Sequence, residues 1–499
     1  MMSSAAKSVG MRCLPALYLL CVIVPLLNVY GLWFDEIFSV TMSRNISSIV
    51  SMVRTQENNM VLHYLLLWLW MPLGDGGEVF LRWSSVLLVL LSLIPLYAAA
   101  QRLSDSVTAN TTCLLYVSHF LVLQHVQACR GYTLTLLATS LVFWSWARAW
   151  QTGKQGHWLW VGVLAGLSAW THYFSVLVVP VLLCSMLMRA GFSQPWKKIF
   201  IAAIAFIVVA LPIVLTRPPD GAAQIGWADV PDARTIFGTL WLLGGADGLH
   251  EQPVLAAMLL LVAVTLLWRR KRWLVTHAWR NFVVGLAAGL LVVVAVVLVE
   301  SFWWQPLFVY RFFTPLVPVY CFVLAAGLSV LWPWLRVVLI VLTLSVSAWE
   351  TWKPVYTEPV PVRYWWKPMV QKLVVDIQPD DVLLVYPAFL RMPVDYYLDR
   401  LDPEKKLPRP VEYSSGYYRQ GGGMEPEPDW QRVQYIAEHT SGRVWLITDE
   451  KKISSWSRLN RIHAPAIREL LLKNRQEKFV KRYATMSVEG FDKSAAFAD

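Results

Sequence analysis

The stretch that decides the fold is Leu14-Pro-Ala-Leu-Tyr-Leu-Leu-Cys-Val-Ile-Val-Pro-Leu-Leu-Asn-Val-Tyr30, which continues into Gly31-Leu-Trp-Phe-Asp35-Glu36-Ile-Phe-Ser39. The first part is apolar and long enough to cross a bilayer, which takes about 20 residues. The second sets two adjacent carboxylates at its exit. Acids at a membrane boundary are expensive to desolvate, so they mark a site more often than a fold element.

Apolar stretches of this kind recur up to residue 350 of a 499-residue chain that is 56% hydrophobic, with a mean hydropathy of +0.47. A soluble enzyme is excluded and a polytopic α-helical membrane protein is expected. No small-residue cleavage site follows the first run, so it reads as a retained helix rather than a leader. The spacing predicts eleven spans, at about 13–30, 80–100, 106–126, 132–150, 157–171, 173–188 and 199–216, an eighth ending at Arg269-Arg-Lys-Arg272, and then 281–299, one beginning near Tyr310, and 335–350. Outer loops fall at 31–79 and 217–252. The first of these carries an amphipathic piece, Ser39–Val53, and an interfacial or re-entrant piece, Met60–Leu73.

The charges agree with that topology. The net charge of +11 does not point to nucleic acid, because the basic residues sit in short loops beside anionic head groups. Before residue 351 the five lysines (Lys7, Lys154, Lys197, Lys198, Lys271) all fall inside, and of thirteen acids only Asp105 does. The outer face holds seven arginines: Arg44, Arg54, Arg82, Arg130, Arg217, Arg234 and Arg311. An arginine fork matches phosphate or carboxylate geometry, which points to an outward anion site. The amino terminus is then cytoplasmic and the tail extracytoplasmic.

Residues 351–499 read as a small soluble α/β domain. Helices are expected at Tyr364–Ile377, Pro393–Leu398 and Trp430–Thr440, buried strands at Asp381–Tyr386 and Arg443–Thr448, and a flexible stretch at Gly421–Pro428. All six cysteines lie before residue 351, so the tail does not depend on disulfides. It holds no phosphate loop, nucleophile elbow or metal-spaced Cys/His set.

Asp35 is the candidate general base and Glu36 its support, since neighbours on a helix point about 100° apart and do not act as equivalents. Arg130, in Gln127-Ala-Cys-Arg-Gly-Tyr132, and Arg311, in Phe308-Val-Tyr-Arg-Phe-Phe-Thr-Pro315, each stand at an outer helix end among aromatics. His63, His172 and His250 are outer-face histidines with no ligand spacing. The Asn45-Ile-Ser47 sequon carries little weight.

Taken in order, Asp35-Glu36, Glu57-Asn-Asn59-Met60, His63-Tyr64-Leu-Leu-Leu-Trp68, Phe80-Leu-Arg82-Trp, Gln127-Ala-Cys-Arg130-Gly-Tyr132, Thr171-His172-Tyr173 and Tyr310-Arg311-Phe312 resemble the GT-C glycosyltransferases. The similarity is to the protein O-mannosyltransferase and aminoarabinose-transferase type, glycosyltransferase family 39 and its bacterial relatives, over about residues 13–350. The resemblance implies transfer of a sugar from a polyprenyl-phosphate or -diphosphate carrier to an extracytoplasmic protein, lipid or cell-envelope glycan. It implies Asp35 as the catalytic carboxylate, and Arg130 and Arg311 on the carrier phosphate. Arg82, Tyr132, Tyr310, His172, Asn59 and His63 join them as donor-binding candidates. A divalent cation is left open, with Asp35, Glu36 and His172 as candidate ligands. The chain departs from the family in reading Gln127-Ala-Cys-Arg130 for Gln-Glu-Ala-Arg and Val61-Leu-His-Tyr64 for Pro-Leu-Tyr-Tyr. Two other readings are a lipid-linked-sugar flippase and an inactive family member whose tail binds an envelope partner. The first calls for mid-span charges or inverted repeats, and the sequence shows neither.

Overall fold

Apolar runs with few charges can satisfy their backbone in lipid only as helices, and helices dominate the computed structural model. It describes residues 4–55, 57–190, 196–216, 228–245, 277–357, 365–386, 390–411, 428–449, 456–483 and 486–493. In chain order the helices are α1 Ser4–Ile23, α2 Phe34–Met42, α3 Ile46–Thr55, α4 Val61–Trp70, α5 Glu78–Leu103, α6 Ser106–Ser118 and α7 Phe120–Val126. They continue with α8 Tyr132–Thr152, α9 Gln155–Ala169, α10 Val178–Ala190, α11 Trp196–Leu215, α12 Ala233–Leu243, α13 His277–Trp303, α14 Val317–Leu328 and α15 Pro333–Thr357. The tail adds α16 Trp366–Asp376, α17 Arg391–Leu401, α18 Trp430–His439 and α19 Trp456–Asn474, with strands β1 Val382–Tyr386, β2 Val444–Asp449, β3 Arg475–Tyr483 and β4 Met486–Lys493.

Each expected span overlaps a helix except the eighth, which lies outside the described residues together with the Arg269–Arg272 run, His250 and Gly421–Glu427. Among the described residues five helices are long and apolar enough to cross a membrane, and six if the bent pair α6 and α7 counts as one span. The chain is an integral, multi-pass membrane protein.

Two expectations are corrected. The third span is not continuous: it bends by 58° where α6 gives way to α7. His119 is the cause. Its backbone is extended, its Nδ1 accepts the Leu121 N–H at 3.2 Å, and its Nε2 donates to the Leu243 carbonyl at 3.1 Å. The amphipathic Ser39–Val53 piece is likewise two helices, because Asn45 caps the second one, its Oδ1 accepting the Ser48 N–H at 2.8 Å.

The chain divides into two compact units: Met1–Val29, Asn58–Arg217 and Ala228–Thr357, and Tyr30–Glu57 with Pro218–Trp227 and Glu358–Asp499. In the first unit small residues let helix backbones touch. A Cβ on Gly162 of α9 would sit 2.1 Å from the Ala202 carbonyl of α11, and one on Gly285 of α13 would sit 2.6 Å from Ser185 Cα of α10. Both pairs follow the small-xxx-small spacing, Gly162/Gly166 and Gly285/Gly289, that brings membrane helices close enough for dispersion to hold them. The first and last spans are tied by polar bonds. Tyr18 donates to the Leu344 carbonyl at 2.9 Å, and Trp352 Nε1 donates to the Val22 carbonyl at 3.1 Å.

In the second unit, α2 packs on α17. The Tyr397 hydroxyl accepts the Leu32 N–H at 2.6 Å and donates to the Leu32 carbonyl at 3.2 Å, while Arg44 pairs with Asp399 at 3.7 Å. The sheet runs β1-β2-β4-β3, with β1 and β2 parallel and the other pairings antiparallel. Leu384, Tyr386, Val444, Leu446 and Phe491 pack against Val433 and Ile436 of α18 and Ile467 and Leu471 of α19. Buried Arg475 serves as the cap of α18, donating to the carbonyls of Ala437 and Gly442 at 2.8 Å each and to that of Thr440.

Candidate active site

The first unit gathers most of the expected donor-binding residues around one turn, Thr171-His172-Tyr173, between α9 and the short 3-10 helix Tyr173–Leu177. Three contacts staple the segment before α4 to it. Leu62 donates its N–H to the Trp170 carbonyl at 3.1 Å, Asn59 Oδ1 accepts the Tyr173 N–H at 3.0 Å, and the Tyr173 hydroxyl donates to Asn58. Asn58 also donates to the Ile213 carbonyl at 2.7 Å, so its side chain links α11 to the turn. Asn59, expected as a donor-binding residue, also brackets the turn through its side-chain oxygen. The entry to α4 is strained: Met60 is buried with φ 67° and ψ 25°, a left-handed conformation unusual for a side chain of this kind. Met60 Sδ lies 2.9 Å from where a Cβ on Gly131 would be, so a larger residue there would have to displace the Met60 side chain.

His172 is 1% exposed. Its Nδ1 accepts the Phe174 N–H at 3.2 Å and caps the short helix, which leaves the proton on Nε2. Aromatic rings pack around it: Tyr132 at 5.4 Å, Phe174 at 5.5 Å and Phe312 at 5.9 Å between centroids. Arg130 and Arg311 are both near enough for their charges to act on its ring. Burial first, and then those two guanidinium groups, push its pKa down to about 3. His63, fully buried in α4, also lies within the field of Arg130 and beside the Cys129 carbonyl.

The segments carrying the two arginines are themselves cross-linked. His125 of α7 stacks on Tyr132 at 4.2 Å, and its Nε2 donates to Thr314 Oγ1 at 3.1 Å. Thr314 in turn donates to the Arg311 carbonyl at 2.7 Å, and Gln124 donates to the Tyr310 hydroxyl at 3.3 Å. Asn58, His125, Thr314 and Gln124 were not among the residues singled out from sequence. A histidine and a glutamine inside the apolar run 120–126, just ahead of Arg130, were the available signal.

Arg82, also expected as a donor-binding residue, lies on α5. It is 2% exposed and donates from Nη1 to the Leu27 carbonyl at 2.9 Å, which satisfies the backbone where the first span unwinds. In the second unit, Asp35 and Glu36 occupy the first turn of α2, where the helix dipole favours negative charge. Glu36 is fully buried, and its Oε2 accepts the Trp33 N–H at 3.1 Å. Asp35 is half-buried and its carbonyl accepts the Ser39 hydroxyl at 2.9 Å. Among the described residues no group of three or more His, Cys, Asp or Glu converges as a metal-ligand set.

A family model described as dolichyl-phosphate-mannose-protein mannosyltransferase matches residues 59–215. The chain is 29% identical over 168 residues to the undecaprenyl phosphate-alpha-4-amino-4-deoxy-L-arabinose arabinosyl transferase of Edwardsiella ictaluri (strain 93-146). That match spans 31% of this chain and 30% of the relative. In three dimensions the chain is similar along its whole length to ArnT from Cupriavidus metallidurans bound to undecaprenyl phosphate, with a TM-score of 0.60 at 11% identity and full coverage of both chains. It is also similar to the archaeal oligosaccharyltransferase AglB from Archaeoglobus fulgidus, in complex with an inhibitory peptide and a dolichol-phosphate. There the TM-score is 0.54 at 11% identity, over 99% of this chain and 75% of that one.

Proposed function

We propose, from the premise that this chain has the GT-C glycosyltransferase fold, that it transfers a sugar from a polyprenyl-phosphate carrier to an acceptor on the extracytoplasmic side of its membrane. The observation that supports this reading most is that the charges of Arg130 and Arg311 both reach His172, which is buried among aromatics in the first unit. Two guanidinium groups whose charges reach one buried ring make a positive locus that suits an anion, and a lipid phosphate fits where the flanking surface is apolar.

The proposed chemistry is an inverting displacement at the anomeric carbon. Asp35 takes the proton of the acceptor hydroxyl as the acceptor oxygen bonds to that carbon. The bond from the anomeric carbon to the phosphate oxygen breaks, and its electron pair leaves with the phosphate. The donor's phosphodiester carries one negative charge and the departing monoester up to two. The arginines thus bind the leaving group more strongly than the ground state, and that differential is what accelerates a reaction. Glu36, with its carboxylate engaged by the Trp33 N–H, holds the turn that presents Asp35.

The deciding experiment incubates the purified full-length protein with a panel of labelled polyprenyl-phosphate sugars and an extracytoplasmic extract. A label that moves to an acceptor identifies both substrates. No movement from any lipid-linked sugar, with the protein folded, rejects the reading.

A further inference from the structure

We propose that Tyr397, in the soluble tail, is a positioning residue for Asp35: its hydroxyl fixes the turn from which the base is presented, which gives the tail a part in catalysis. This rests on the reading of Asp35 as the base and adds a residue that acts through it.

Leu32 lies two residues ahead of α2 and is fully buried, so its backbone N–H and C=O stand outside the helical ladder and away from water. Both go to the Tyr397 hydroxyl, which accepts the N–H at 2.6 Å and donates to the carbonyl at 3.2 Å. A hydroxyl can donate and accept at once, so one atom does the work of a peptide group. Tyr397 is itself 2% exposed on α17, with its ring edge-on to Tyr396 at 5.1 Å. The chain runs so close here that a Cβ on Gly31 would sit 2.7 Å from the same hydroxyl and 2.8 Å from Lys367 Cβ of α16. From Leu32 the constraint passes to Trp33. The Trp33 carbonyl accepts the N–H of Glu36 at 3.0 Å and of Ile37 at 3.1 Å, and its own N–H donates to the Glu36 carboxylate. Asp35 lies inside that closed turn, so a shift of Leu32 moves its carboxylate. A displacement of about 1 Å can cost a reacting pair about 10²-fold. The far end of α2 is tied to the same helix by Arg44 and Asp399 at 3.7 Å, but both are well exposed and such a pair contributes little. The buried hydroxyl is the contact that sets the turn.

Tyr397→Phe keeps the ring and removes the hydroxyl. Asp402→Asn, just past the end of α17 and bonded to Lys406, Leu407 and Arg409, is the control for destabilising the same unit. In the purified full chain, backbone amide exchange over residues 31–37 is followed beside transfer from the panel of labelled polyprenyl-phosphate sugars, binding of undecaprenyl phosphate and thermal unfolding. Tyr397→Phe is expected to speed exchange over that stretch by about tenfold or more, because the turn loses its anchor. It should lower kcat by about 10- to 100-fold and leave undecaprenyl phosphate affinity at the wild-type value. Asp402→Asn should lower the unfolding midpoint and leave exchange over 31–37 and kcat unchanged. The double variant Asp35→Asn/Tyr397→Phe should be no slower than Asp35→Asn, since placing a group that cannot act leaves nothing further to lose. Unchanged exchange in Tyr397→Phe overturns the anchor. Wild-type kcat in Tyr397→Phe overturns the positioning role, as does an equal fall in Asp402→Asn or a further loss in the double variant. Slow transfer by Asp35→Asn beside normal transfer by Tyr397→Phe rejects this inference alone. Normal transfer by Asp35→Asn removes the base reading, and this inference with it.

Discussion

Glu36 accepts the backbone N–H of Trp33 at 3.1 Å, so the carboxylate beside Asp35 closes the first turn of its own helix. This contact is half of a capping box, in which an acid at the third helical position reaches back to the residue before the helix. It gives two neighbouring acids different work. Glu36→Gln retains an acceptor oxygen and should leave stability and transfer close to wild type. Glu36→Ala should lower stability by about 1 kcal/mol through loss of the cap. Asp35→Asn keeps the shape but cannot take a proton, so transfer should fall by about 10²- to 10⁴-fold with donor affinity retained. Transfer rate, donor affinity and unfolding measured on all three variants decide it. Near-normal transfer by Asp35→Asn would falsify the base assignment and return the pair to a polar collar at a helix start.

The arginines divide in the same manner. Arg82 bonds to the Leu27 carbonyl inside the bundle, whereas Arg130 and Arg311 bear on His172. Arg130→Lys and Arg311→Lys keep the charge and lose the planar fork, so each should weaken undecaprenyl phosphate binding while the unfolding midpoint holds. Arg82→Met leaves a buried carbonyl short of its donor and should lower the midpoint. The opposite pattern, with affinity lost at Arg82 and stability lost at Arg130, would exchange their roles.

The spans were legible because a helix that crosses lipid must be long and apolar, a constraint strong enough to read from single residues such as those of Leu14–Tyr30. The break at His119 was not, since a histidine within an apolar run carries no turn signal and owes its conformation to the distant Leu243 carbonyl. Strand β1 could be read from its apolar run. β3, Arg475-Gln-Glu-Lys-Phe-Val-Lys-Arg-Tyr483, could not, because an edge strand is free to be charged and such residues deter edge-to-edge pairing. At the candidate site, Arg130, Arg311 and His172 were visible as polar residues at apolar boundaries. Asn58, His125 and Thr314 act through partners about 115 to 190 residues away, and that separation is invisible without the fold.

The glycine contacts give a stability prediction that does not depend on function. Gly162→Leu must push α9 away from the Ala202 carbonyl, and Gly285→Leu must push α13 away from Ser185. Backbone cannot yield as a flexible side chain can, so both should lower the unfolding midpoint in detergent. Gly156→Leu is the control, because a Cβ there meets nothing within 4 Å. Equal midpoints for all three would show that these helix pairs are not held by close approach.

The second unit should lose stability in acid through Asp402. Its carboxylate accepts the N–H of Leu407 at 2.8 Å and that of Lys406 at 3.1 Å, and pairs with Arg409 at 3.2 Å. The backbone bonds, then the arginine, hold its pKa below the usual carboxylate value. The folded state therefore binds this proton less readily than the unfolded state. The stabilisation is full above the ordinary carboxylate range, about pH 4, and is lost as pH falls through and below it. Asp402→Asn should lower stability at pH 7 and flatten the decline on the acid side. An unchanged acid profile in that variant would assign the decline to other carboxylates.

The orientation of the chain rests on where lysines and acids fall, and it fixes which compartment the chemistry serves. The expected topology puts all five lysines before residue 351 inside and twelve of the thirteen acids outside, the bias that anionic inner leaflets and the insertion machinery impose. Two exposed positions test it. Gly156, just inside α9, has open space around its Cβ, and Tyr435 on α18 is 63% exposed. Cysteine at Tyr435 should react with a membrane-impermeant thiol reagent in intact cells. Cysteine at Gly156 should react only once the membrane is permeabilised. The parent chain, which already exposes Cys13 and Cys21, supplies the background to subtract. Labelling of Gly156→Cys in intact cells, with Tyr435→Cys protected, would invert the whole assignment. Asp35, on the far side of the first span from Lys7, would then face the cytoplasm, and an acceptor outside the cell could no longer be its substrate.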